Sequence, residues 1–128
     1  MIPTVLLIED NEQNRYLATY LLESQGWRVE SAADGSAGIR RAKELVPDLI
    51  LLDIQLPRMD GYEVARALRA ESLLVSVPIV AITSYAMAGD CEKALAAGCN
   101  GYIEKPIQPE TLIADLSRFL QGRLVRNA

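Results

Sequence analysis

The sequence predicts a single α/β domain built on a five-stranded parallel sheet with helices on both faces. Three observations carry this expectation. The 128 residues suit one domain, and half of them are apolar, enough for one real core. Short β-rich runs alternate with helical stretches five times along the chain. The run Leu49–Leu52 is continuously apolar, as a strand covered on both faces is.

Taken in order, Thr4–Ile8 is apolar and partly β-branched and reads as the first strand. Glu12–Ser24 reads as the first helix, with Tyr16, Leu17, Tyr20 and Leu21 on one face and Gly26 as its stop. Trp27–Ser31 is a second, weaker strand. Asp34 can cap a second helix running to about Leu45, and Pro47 closes that unit. Leu49–Leu52 is the third strand, and Tyr62–Glu71 the third helix, with Val64, Ala65 and Leu68 apolar. Val77–Ile82 is the fourth strand, since Pro78 is tolerated only near a strand start. Met87–Ala97 is an alanine-rich fourth helix ended by Gly98, and Gly101–Glu104 is a short fifth strand. Pro109 suits the first turn of a last helix, expected to run through Leu120 and to end at Gly122. The domain is therefore expected over residues 1–122, with 123–128 as a short tail.

Right-handed crossovers leave few ways to connect such units. The expected arrangement is a flavodoxin-like three-layer sandwich with strand order 2-1-3-4-5. In such sheets the site lies beyond the C-terminal strand ends, where the order reverses between strands 1 and 3.

Composition narrows the chemistry. The net charge of −4 leaves no basic footprint for nucleic acid on the chain as a whole. Met1–Ile8 is apolar but short and is followed at once by Glu9 and Asp10, so no signal peptide is expected. No apolar run approaches the length of a membrane span, and a soluble, cytoplasmic protein is expected. Cys91 and Cys99 lie eight apart, which is neither metal-ligand nor redox spacing, and read as small buried or half-buried thiols. The chain has no histidine, which excludes His-based triads, His-ligated metals and phosphohistidine carriers within it.

The polar residues gather at one sheet edge. Strand 1 ends in Glu9 and Asp10, strand 3 in Asp53, strand 4 in Thr83 and Ser84, and strand 5 in Glu104, Lys105 and Pro106. Adjacent strands lie about 4.8 Å apart, so three carboxylates would crowd together. Such a cluster needs compensation, and Mg²⁺ suits carboxylate oxygens plus a backbone carbonyl, here that of Gln55. Beside a metal, Asp53 could attack phosphorus and form an aspartyl phosphate. Lys105 and the Thr83 hydroxyl would then meet the other phosphate oxygens. A cis Lys105–Pro106 bond is expected, aiming Lys105 into the site. Each residue alone has a bland reading: Asp10 as a helix cap, Thr83 as an ordinary strand residue, Tyr102 as core. The joint pattern is what carries weight.

The run Pro47-Asp48-Leu49-Ile50-Leu51-Leu52-Asp53, with Leu56-Pro57 and Met59-Asp60-Gly61 after it, resembles the receiver domain of bacterial two-component response regulators. Glu9-Asp10, Thr83-Ser84 and Lys105-Pro106 extend the resemblance over essentially the whole chain. Stand-alone receivers of the cell-cycle regulator type are the most similar. One departure is Glu9, where many members have Asp. The resemblance implies Asp53 as phosphoacceptor, Glu9 and Asp10 around Mg²⁺, Thr83 and Lys105 as phosphate contacts, and Tyr102 as an aromatic switch residue. It implies a histidine kinase or histidine phosphotransfer protein as donor. It also implies an output face formed by the fourth helix, fifth strand and fifth helix, without direct nucleic-acid or membrane binding. Asn14 and Ala18 on the first helix are candidates for a kinase-docking surface. Tyr85, two residues beyond Thr83, is expected to hinder an attacking water and prolong the phosphate.

The rival readings are a receiver excised from a hybrid kinase or larger regulator, and a phosphorylation-independent pseudo-receiver. A haloacid-type phosphatase would want Asp where Gln55 stands. A flavodoxin would want a phosphate loop where the acids stand.

Overall fold

The computed structural model describes residues 2–84 and 88–127. Strands β1 (Thr4–Ile8), β2 (Arg28–Ala32), β3 (Leu49–Asp53), β4 (Ile79–Thr83) and β5 (Gly101–Glu104) alternate with helices α1 (Glu12–Glu23), α2 (Gly35–Leu45), α3 (Gly61–Arg69), α4 (Ala88–Ala96) and α5 (Pro109–Asn127). The strands form one parallel sheet in the order β2-β1-β3-β4-β5, as expected. A short 3₁₀ turn, Ser72–Leu74, follows α3, so that helix ends earlier than its expected bound at Glu71. Among the described residues, no helix is long and apolar enough to cross a membrane.

Side chains alternate across each strand, which splits the core into two layers. Leu6, Ile8, Ile50, Leu52, Ile79 and Ala81 pack with Val64, Leu68 and Leu74 on the α2–α3–α4 side. Val5, Leu7, Leu49, Leu51, Val80, Ile82 and Ile103 pack with Leu22, Leu112 and Leu116 on the α1–α5 side. Both layers cover the central strands completely, which explains the unbroken apolar run of β3. Ala94 on α4 and Ala97 just past its end are buried in the first layer while Ala96 is exposed, so Ala94 and Ala97 serve close packing.

Two expectations require correction. On α1 the buried residues are Ala18 and Leu22, with Leu21 packed beside them, whereas Tyr16 is 75% and Tyr20 63% exposed and Leu17 is also exposed. The contact is made through a small residue and a leucine one turn apart, and the larger aromatics flank it outward. The last helix does not end at Gly122 but runs on to Asn127. A glycine inside a helix costs about 1 kcal/mol, which alone is no stop signal. Met87 and Tyr85 lie outside the described residues.

The ends of the helices are fastened by short polar side chains. Asn11, Asp34 and Asp60 accept hydrogen bonds from the amides of Asn14, Ala37 and Glu63. Asp34 thus caps as expected, and Asn11 rather than Asp10 caps α1.

At the edge opposite the C-terminal strand ends, Arg69 closes the structure. Its Nε donates to the Gly98 carbonyl at 2.8 Å, and its Nη1 to the carbonyls of Leu74 and Val77 at 2.8 and 2.7 Å. Its Nη2 reaches Asn100 Oδ1 at 2.5 Å, an oxygen that also accepts from the Ile79 amide at 2.8 Å. Gly98 has φ +109°, and a Cβ there would collide with Arg69 Cγ, so glycine serves both the turn and the close approach.

Candidate functional site

The register sets the site. Ile8 pairs with Leu52 and Asp53 with Ile82, so Glu9, one residue past Ile8, stands level with Asp53. Glu104 pairs with Thr83, which brings Lys105 to the same edge. Glu9, Asp53 and Lys105 share strand parity with Leu7, Leu51 and Ile103, and continue the α1–α5 side beyond the core.

These residues meet. Lys105 Nζ lies 3.2 Å from Asp53 Oδ2 and 3.6 Å from Glu9 Oε1. The Gln55 amide donates to Asp53 Oδ1 at 2.9 Å, and the Asn11 amide to Glu9 Oε2 at 3.3 Å. Glu9 and Asp53 are each 1% exposed, while Asp10 is exposed at the rim. Carboxylate oxygens of Glu9, Asp10 and Asp53 lie within 4.8 Å of one another. Such oxygen donors fit a hard divalent cation, and an orphaned atom marks the same place: Glu9 Oε1 is buried without a hydrogen bond. Because Asn11 caps α1, the Asp10 carboxylate is free to face this cluster. Thr83 ends β4 one step beyond Ile82, the register partner of Asp53, and is 6% exposed. The Lys105–Pro106 bond is cis.

Burial pushes the Glu9 carboxyl up to about 8; the neighbouring Asp53 carboxylate adds to this, while the Asn11 amide and Lys105 oppose it. In metal-free protein the folded chain therefore holds a proton that the unfolded chain releases. Stability should fall as pH rises from the ordinary carboxylate range to about 8. Glu9→Gln can keep an oxygen for the Asn11 amide without the charge, and should add about 1–3 kcal/mol at the alkaline end. Melting curves in EDTA across this range check it. An unchanged pH slope in the variant would remove Glu9 as the source.

Tyr102 lies on the face of β5 opposite Ile103 and is 45% exposed; Cys91 of α4 stands near its hydroxyl and pushes the phenol up. Cys91 is half-buried and Cys99 buried, with the Cys99 thiol pushed up to about 11 by burial, as expected of unreactive thiols. Ala18 is buried and offers no docking surface, while Asn14 is half-exposed.

Sequence reasoning missed Arg15. Its Nη1 donates to the carbonyls of Glu9 at 3.0 Å and Asp10 at 3.2 Å. The available signal was a cation in the first turns of a helix, where the dipole disfavours it.

Fold and site define an open α/β protein with an acidic pocket and a lysine at its topological switch point. Residues 5–117 match the response regulator receiver domain family, and the chain belongs to it. The polar-differentiation response regulator DivK of Brucella ovis is 38% identical over 94% of this chain and 98% of its own length. The receiver domain of sensor histidine kinase PA1611 from Pseudomonas aeruginosa PAO1, solved with a magnesium ion in its active-site cleft, is 39% identical. It superposes with a TM-score of 0.88 over 94% of this chain and 99% of that one. The chemotaxis protein CheY4 of Vibrio cholerae superposes with a TM-score of 0.90 at 31% identity, over 93% of this chain and 99% of that one.

Proposed function

We propose that the chain is the phosphoacceptor of a two-component phosphorelay, taking a phosphoryl group onto Asp53 from a phosphohistidine on a separate protein. The observation that carries this reading is the buried Asp53 carboxylate, 3.2 Å from Lys105 and clustered with Glu9 and Asp10. An Asp53 oxygen attacks phosphorus, the P–N bond breaks, and its electron pair stays on the donor imidazole. Lys105 leaves its ion pairs with Glu9 and Asp53 to meet a phosphate oxygen, and the Thr83 hydroxyl meets another. Mg²⁺, held by Glu9, Asp10, Asp53 and the Gln55 carbonyl, would neutralise charge on the transferring group. Glu9, the longer acid, can reach it through water. The chain assists only its own phosphorylation and dephosphorylation, and works as a switch in the cytoplasm.

The donor, a histidine kinase or histidine phosphotransfer protein, would dock on α1. The exposed Tyr16, Leu17 and Tyr20 support this, as does a groove of about 390 Å³ lined by Asn14, Leu17, Ser84, Lys105, Pro106 and Ile107. Phosphate drawing Thr83 inward would free space for Tyr102 to leave Cys91 and turn toward the core. The α4–β5–α5 face would change for a downstream partner, whose preference for that state reciprocally favours phosphorylation. The 38% identity to DivK supports the reading as a response regulator. The identity to a kinase's own receiver supports a second reading, a receiver within a hybrid kinase, and full gene length separates the two.

Titration with beryllofluoride and Mg²⁺, followed by amide spectra, tests the reading. Saturable shifts around Asp53, Thr83 and Lys105 that extend over the α4–β5–α5 face are expected. Spectra that do not respond would overturn it.

A further inference from the structure

The turn between β1 and α1 is only three residues long, Glu9, Asp10 and Asn11, and it carries two of the three clustered acids. Its polar groups are tied from three directions. The Glu9 amide donates to the Ala32 carbonyl at 3.0 Å, Asn11 caps α1 with its side chain, and Arg15 reaches back to both acidic residues' carbonyls. One guanidinium nitrogen serves two consecutive carbonyls, so both peptide planes must turn toward it. That fixes the backbone of Asp10, whose carboxylate is the exposed member of the cluster. Arg15 itself is half-buried and closes the first turn of α1, where the helix dipole disfavours a cation, so its placement needs another source of stability. The two carbonyls supply it.

We propose that Arg15 is a positioning residue for the acidic pocket: by clamping the Glu9 and Asp10 carbonyls it pre-organises their carboxylates for a divalent cation. This deepens the function proposed above and rests on it. Two effects of removing Arg15 have opposite signs. Deleting a cation near the acids would tighten metal binding, and loosening the turn would weaken it. The second should win. The guanidinium is engaged with carbonyls rather than with the carboxylates, and the charges that act on the buried Glu9 carboxyl are those of Asp53 and Lys105. Groups that orient metal ligands typically change affinity about 10–100-fold when removed.

The test compares the unaltered chain with Arg15→Met, which keeps the apolar stem, and Arg15→Lys, which can still donate to a carbonyl. Mg²⁺ affinity is read from amide shifts during titration, and the metal-free proteins are compared by hydrogen exchange at Asn11, whose amide reports the turn through Glu9. Arg15→Met is expected to bind Mg²⁺ about tenfold more weakly. Its Asn11 amide should exchange faster while the amides of β3 keep their protection, and labelling by acetyl phosphate should recover at saturating Mg²⁺. Arg15→Lys is expected to restore most of the affinity. Equal or tighter Mg²⁺ binding by Arg15→Met, or an unchanged Asn11 exchange rate, would overturn the role of Arg15 alone. Failure of the unaltered chain to bind Mg²⁺ would overturn the underlying function, and this role with it.

Discussion

A chain carrying Asp53→Asn should show no labelling by acetyl phosphate in Mg²⁺ above background, while it remains folded. Asparagine has the volume of aspartate and keeps an oxygen to accept the Gln55 amide. It loses the anionic oxygen that would attack phosphorus, and it brings an amide nitrogen up to the Lys105 ammonium, which lies 3.2 Å from Asp53 Oδ2. The pocket also loses one of its three clustered carboxylates, so Mg²⁺ binding should weaken. Hydroxylamine-labile mass gain on the intact protein, before and after the substitution, makes the comparison. Undiminished labelling would place the acceptor on another residue and reject the assignment.

The second large effect is on stability. Arg69→Ala should destabilise the fold by about 2–4 kcal/mol, a drop in Tm of roughly 10 °C. Four oxygens lose a charged donor at once: the carbonyls of Gly98, Leu74 and Val77 and the Asn100 side chain. Burial already holds the guanidinium below its usual range, so these bonds form where water competes poorly. Arg69→Lys should recover only part of the loss, because an ammonium cannot span the same planar fork. Thermal unfolding of both variants checks this. A loss below about 1 kcal/mol for the alanine variant would mean that water replaces the guanidinium at little cost.

Much of this was legible in the sequence because the site residues end apolar runs. Glu9 after Val-Leu-Leu-Ile and Asp53 after Leu-Ile-Leu-Leu needed only the strand order to be brought together, and right-handed crossovers restrict that order. The orientation of α1 was not legible. An apolar pattern weighs Tyr16 and Tyr20 more heavily than Ala18, but close packing against the sheet favours the small residue. The choice of cap was equally open, since Asp10 and Asn11 can both cap and only the geometry selects Asn11. The roles of the two arginines left little trace in the sequence for a shared reason. Arg15 and Arg69 bind mainly backbone carbonyls, and a carbonyl leaves no mark on the residue type that carries it. The continuation of α5 past Gly122 reflects how weak a lone glycine is as punctuation.

The pairing of Ile8 with Leu52 has a kinetic side. The acids of β1 meet Asp53 only after a long intervening segment, including β2 and α2, has been closed into a loop, and Lys105 joins from 52 residues further along. Closing such loops costs chain entropy before the contacts repay it, so long-range parallel pairing is a slow part of folding. The acidic pocket therefore has no local precursor. A fragment lacking β1, β3 or the Lys105 segment cannot carry it, and a refolding chain would gain affinity for a cation only when its distant parts have docked. Cation binding by this chain would thus report completed folding.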